Sequence, residues 1–123
     1  MIKVYIASPY SIGNKKENVR RSVAVAHELR RYGLCPFMPL LSHFANEIQV
    51  EPYETWLRED LEWLRQCDAV LRLDGESSGA DREETLAKRL NIPLFKEIAD
   101  LLDWAELKND LEAKKRIQTA VLE

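Results

Sequence analysis

Ile2-Lys3-Val4-Tyr5-Ile6-Ala7, halted by Ser8-Pro9, is a β-branched and aromatic run that reads as a strand ending in a loop. The polar Tyr10-Ser11-Ile12-Gly13-Asn14 is that loop, and Asn14 is placed to cap a helix whose apolar side is Val19, Val23, Ala26 and Leu29. Gly33 suits the left-handed position that closes such a helix. Residues 34–38 form a short second strand whose Pro36 places it at a sheet edge. Residues 39–51 carry no clear period and read as a long loop with room for a helical turn. Pro52 opens a helix to about residue 66. A third strand covers residues 69–73, a loop 74–79, a helix 80–91 and a brief fourth strand 92–95. From Ile98 to about Val121 the chain reads as a helix with Ile98, Leu101, Leu102 and Ala105 as its apolar face. Its last turns, 113–123, are too polar to pack on a core alone, so they fray or meet a partner subunit.

Strands that alternate with helices predict an α/β fold: an open parallel sheet with helices on both faces. The 123 residues make one domain, in which 98–123 is a helical extension. Such sheets bind ligands outside the carboxyl ends of their strands, near the point where strand order reverses. That rule points to residues 8–14, 39–44 and 74–79. With Lys+Arg 18 against Asp+Glu 21, the net charge of -3 argues against a nucleic-acid polymer as partner. No apolar run is long enough to span a bilayer, and the first residues lack the layout of a signal peptide. Cys35 and Cys67 form no CxxC, and with only two histidines no zinc site is expected. The expected setting is the cytosol, with both thiols free and held in the core.

Two carboxylates fall where apolar residues belong. Tyr53, Leu57, Asp60, Leu61 and Leu64 share one helix face, while Arg58, Glu59, Glu62 and Arg65 point outward. Glu83 lies inward with Leu86, Ala87 and Leu90, and Arg82, Glu84, Lys88 and Arg89 point outward. A carboxylate turned inward is destabilising unless it is paired or protonated. Backbone amides or an arginine would satisfy each singly, but two beside one ligand edge suit cleavage at an anomeric carbon. One then acts as nucleophile and the other, held protonated, donates to the leaving group. Ser77-Ser78-Gly79, running into a helix, offers an anion site or simply a cap. It is neither a Walker loop nor a GxGxxG turn.

Read together, Tyr5-Ile6-Ala7-Ser8-Pro9-Tyr10, Asp60-Leu61-Glu62-Trp63-Leu64 through Cys67-Asp68-Ala69-Val70, and Ser78-Gly79-Ala80-Asp81-Arg82-Glu83 resemble the nucleoside 2-deoxyribosyltransferase superfamily, including its deoxynucleoside 5′-monophosphate N-glycosidase branch. The likeness covers about residues 2–96. It implies a flavodoxin-like five-stranded parallel sheet and a homodimer or higher homo-oligomer. It also implies that Glu83, four residues after Gly79, attacks the anomeric carbon and forms a covalent sugar–enzyme intermediate. Asp60 matches the proton donor to the departing base, and Tyr5 the phenol that orients the nucleophile. The transferases often carry an aspartate two residues before the glycine. Ser77 stands there instead, as in the monophosphate N-glycosidases, where a serine contributes to the phosphate pocket. The glycosidase's phosphate-binding arginine in the first loop has no match, and Ser11 lies at or near its place. Thr85 replaces the family's small residue two positions after the glutamate.

The expected activity is cleavage of the N-glycosidic bond of a nucleoside or its 5′-monophosphate, without metal or organic cofactor. Glu83, Asp60 and Tyr5 are its catalytic residues; Ser8, Pro9, Tyr10, Ser11, His43, Asp74, Ser77, Ser78 and Gly79 are its substrate contacts. Lys15, Lys16 and Arg20 read as a solvated helix face, His27 as surface, and Trp56 and Trp63 as packing or subunit contacts. Base exchange between nucleosides is the enzymatic alternative. A nucleotide-binding module without turnover, or an interaction protein working through the C-terminal helix, is the alternative from another class.

Overall fold

The computed structural model describes residues 1–122; Glu123, the end of the expected extension, lies outside the described residues. The opening strand is β1 (Lys3–Ala7), followed by α1 (Lys15–Arg31), β2 (Cys35–Phe37), a 3-10 turn (Pro39–Leu41) and α2 (Ser42–Ile48). Then come α3 (Tyr53–Leu64), β3 (Ala69–Arg72), α4 (Ser78–Arg89), β4 (Leu94–Phe95) and α5 (Ile98–Leu122). The strands pair in parallel in the order β2-β1-β3-β4, with Tyr5 opposite Val70 and Ala7 opposite Arg72. This is an open α/β sheet of flavodoxin-like kind, with β2 at the edge its proline required. The fifth strand implied by the family resemblance is not found among the described residues, because the chain leaves β4 directly into α5.

The twofold period of the strands divides the core in two. Val4, Ile6, Ala69 and Leu71 face Ala26 and Leu29 of α1 and Leu101 and Ala105 of α5. Tyr5, Ala7 and Val70 face Leu64 of α3 and Ala80 and Ala87 of α4. Tyr5 is thereby committed to the layer that carries Asp60 and Glu83. Asn14 caps α1 as its sequence position suggested, its side chain accepting from the backbone N–H of Glu17 at 3.1 Å. From β1 the chain crosses to β2 on one side, while β3 lies on the other. Strand order therefore reverses between β1 and β3, and a crevice opens at their carboxyl ends.

Several expectations need correction. Residues 39–51 are not a long loop: they hold the 3-10 turn and α2. No residue of α2 is buried, and Phe44 and Ile48 are exposed, so it has no inward stripe for a periodicity argument to detect. Cys35 is exposed and Cys67 half-buried, since Cys35 opens the edge strand β2 and Cys67 lies in the connection between α3 and β3; both thiols are free. Glu84, expected outside, is half-buried beside Arg72, with Lys88 and Lys96 on its other side. Among the described residues no helix is long and apolar enough to cross a membrane.

Candidate functional site

At the reversal point of the sheet, the loops after β1 and β3, the 3-10 turn and one face each of α2, α3 and α4 enclose a cavity. The loop after β1 contributes Ser8, Tyr10, Ser11 and Ile12. The 3-10 turn and α2 contribute Pro39, Leu40, Ser42, His43 and Asn46. From α3 come Tyr53, Trp56, Leu57 and Asp60, which recur every three or four residues and so share a face. Residues 76–80 and Glu83 close the remaining side.

Glu83, in the second turn of α4, is only 4% exposed. The Tyr5 hydroxyl, wholly buried on β1, donates to its Oε2. Burial pushes the Glu83 carboxyl up to about 8. The Tyr5 hydrogen bond favours the ionised form and works against that burial. Asp60 lines the same cavity, and burial first, then the charge of Glu59, push it up to about 7. Neither carboxylate takes part in an ion pair among the described residues. Two carboxyl groups with raised pKa and no cation partner, facing one crevice, have the equipment for proton donation and nucleophilic attack.

The Ser8 side chain is buried in the cavity wall, and its Oγ has no hydrogen-bond partner among the described residues. Buried hydroxyls are normally satisfied, so a polar group of a ligand is the natural complement. Ser77 caps α4, its Oγ accepting from the backbone N–H of Ala80 at 3.1 Å, which leaves its own hydrogen to donate. Ser78 and Gly79 follow in the first turn of α4, where free N–H groups and the helix dipole favour an anion. A Cβ on Gly79 would stand 2.5 Å from the Tyr53 hydroxyl, so the glycine lets Tyr53 close over the helix start. The Tyr10 hydroxyl bonds to Nδ1 of His43, whose Nε2 lies 3.0 Å from Oε1 of Glu47.

Two of the expected contacts fall elsewhere. Asp74 is exposed and does not line the cavity; its backbone carbonyl accepts from Arg21 at 2.8 Å. The turn after β3 directs the side chain outward, because Arg72 folds the loop inward by its carbonyls, donating to Leu73 O and, at 2.9 Å, to Gly75 O. Pro9 also lies off the cavity lining: its ring sits where a Cβ on Gly75 would approach to 2.8 Å. Pro9 therefore packs the two loops against each other.

Asn46, Tyr53, Trp56 and Leu57 were not among the expected site residues. Trp56, expected as a packing or subunit contact, lines the cavity one helical turn before Asp60, and that spacing is a usable signal. Asn46 lay in the stretch without period, where nothing singled it out. Its Oδ1 accepts from Trp56 Nε1 at 2.8 Å and from the backbone N–H of Glu51 at 2.9 Å, which ties α2 to α3. Trp63 stacks instead on Phe37, at a centroid distance of 5.7 Å, outside the cavity. Among the described residues no group of three or more His, Cys, Asp or Glu side chains is placed to hold a metal ion.

Among solved structures, the chain is similar in fold to a 2-deoxyribosyltransferase from the psychrotolerant bacterium Bacillus psychrosaccharolyticus. The TM-score is 0.59 at 23% identity, over 78% of this chain and 75% of that one. No curated protein sequence matches. A family model described as a domain of unknown function (DUF7768) matches residues 2–97, so this chain belongs to the DUF7768 family.

Proposed function

We propose that the cavity breaks the N-glycosidic bond of a nucleoside or nucleoside 5′-monophosphate. The observation that carries this reading is the buried Glu83, held by the Tyr5 hydroxyl and facing the same cavity as Asp60. The fold likeness to a 2-deoxyribosyltransferase supports it. In the first step Glu83 carboxylate attacks the anomeric carbon as the bond to the base breaks, and Asp60 gives its proton to the departing base. The glycosyl ester on Glu83 is then opened by water, whose proton returns to Asp60, and free Glu83 is restored. Tyr5 steadies the attacking carboxylate. Ser8, Ser11, Ser77, Ser78 and the N–H groups at the start of α4 bind the sugar hydroxyls or a 5′-phosphate. The reaction needs no metal or organic cofactor. The catalytic domain is the single unit 1–123, with 98–123 as its helical extension, and the working form is a cytosolic homo-oligomer.

The productive state has Glu83 ionised and Asp60 protonated. Burial raises both Glu83, to about 8, and Asp60, to about 7, so that state is populated in a window around neutral pH. kcat/KM should follow a bell centred between pH ~7 and ~8, with limbs that belong to the pair. Base release from a panel of nucleosides and 5′-monophosphates tests the reading. Glu83→Ala and Asp60→Asn should each lower turnover by ~100-fold or more. Rates like wild type in both variants would remove the assignment. Exchange between two nucleobases, the alternative reaction, would show the same dependence on Glu83 but require an acceptor base.

A further inference from the structure

We propose that Asn46 makes the site selective for a base with two adjacent acceptors, a 6-oxopurine, against a 6-aminopurine; this rests on the glycosidic reading of the cavity. One amide is fixed in its orientation. Asn46 Oδ1 accepts from the Trp56 indole N–H at 2.8 Å and from the Glu51 backbone N–H at 2.9 Å. Both partners are donors only, so the amide cannot be turned round without placing N–H against N–H. The oxygen is therefore spent inside the protein. The Nδ2 group donates to no protein acceptor among the described side-chain hydrogen bonds, and it is what this residue has left to offer the cavity.

The second donor is close in sequence and on the same wall. Asp60 follows Trp56 by four residues on α3, one turn along the same face, and both line the cavity. On the glycosidic reading, a base that takes the Asp60 proton on its ring nitrogen occupies the cavity that Trp56 and Asn46 also line. In a purine that nitrogen is N7, and its neighbour on the same edge is the 6-substituent. Guanine and hypoxanthine present N7 and O6, two acceptors; adenine presents N7 and an N6 amino donor. Protonated Asp60 and Asn46 Nδ2 are two donors. They match the 6-oxo edge, whereas the adenine amino group would face the Asn46 amino group with neither satisfied. A site built to pair a polar group discriminates strongly against a base that leaves it unpaired.

The test compares kcat/KM for 2′-deoxyinosine and 2′-deoxyadenosine and their 5′-monophosphates, alongside binding of free hypoxanthine and adenine by calorimetry. Wild-type protein should favour the 6-oxo substrate and base by ~10-fold or more. Asn46→Asp keeps one oxygen on Trp56 and Glu51 and turns the other, an acceptor, to the cavity, so the preference should reverse toward adenine. Trp56→Phe releases one of the two restraints, and the ratio should fall toward one without reversing. Turnover with an unchanged ratio in Asn46→Asp overturns the inference and leaves the glycosidic reading standing. Discriminating base binding that reverses in Asn46→Asp, without turnover of any substrate, sustains the selectivity and overturns the glycosidic reading. Neither turnover nor base binding removes both.

Discussion

Glu83 is held at a loss to stability, and the sign of that loss can be measured. In the unfolded chain a glutamate ionises near pH ~4.3; in the fold burial pushes Glu83 up to about 8. Below pH ~4 both states are protonated and the residue is neutral in the balance. As pH rises from there toward 8, the unfolded chain ionises while the fold does not, and stability is lost. Glu83→Gln removes the titration and keeps an acceptor for Tyr5. Its melting temperature should match wild type at pH 4 and exceed it by several degrees at pH 8. A variant no more stable at pH 8 than at pH 4, relative to wild type, would mean that the carboxyl is solvated. Helical spacing alone made Asp60 and Glu83 visible, because a charge in an apolar stripe is an anomaly in any window of twelve residues. The partnership of Tyr5 with Glu83 joins residues 78 apart, and the periodicity of neither element contains it. Family resemblance, not spacing, pointed to that pair.

At the scale of elements, the loop from β3 to α4 is the most constrained piece of the site. Arg72, at the end of β3, is nearly buried and donates to carbonyls at Leu73 and Gly75 and to Asp81 Oδ1 at 3.1 Å. Gly75 has φ +120°, and a Cβ there would approach Pro9 Cγ to 2.8 Å. Gly75→Ala should therefore destabilise the fold by ~1–3 kcal/mol, measured by urea unfolding, and a loss below a few tenths would mean that the loop relaxes freely. Strands and long helices were legible because burial imposes a period on them. The short α2 was not: it buries nothing, and its place is set by the Asn46 contacts to Glu51 and Trp56. For the same reason its cavity residue Asn46 went unread. Asp74 was misread because a position at a strand end does not determine which way a turn directs its side chain.

Across the whole molecule, α5 begins in the packed body, with Leu101 and Ala105 in the core, and its later turns run beyond it. The buried residues of α5 stop at Ala105; Lys108 still covers Trp104 at 5.2 Å, while Leu107, Leu111, Ile117 and Val121 are exposed. Deleting residues 109–123 should leave the melting temperature within ~2 °C of the full chain. A larger fall would show that the distal helix contributes to the fold. Composition and the alternation of periods determined by themselves that the chain is an α/β sheet, where its strands and long helices lie, and that Asp60 and Glu83 turn inward. These are local properties, set by which side chains water excludes. What only the tertiary structure decided is who meets whom. The order β2-β1-β3-β4 places the crevice, the pleat sends Tyr5 toward α4, and the packing of α2 on α3 turns one amide oxygen away from the cavity. Each is a contact between residues distant in sequence or on separate elements, and no single element's pattern encodes it.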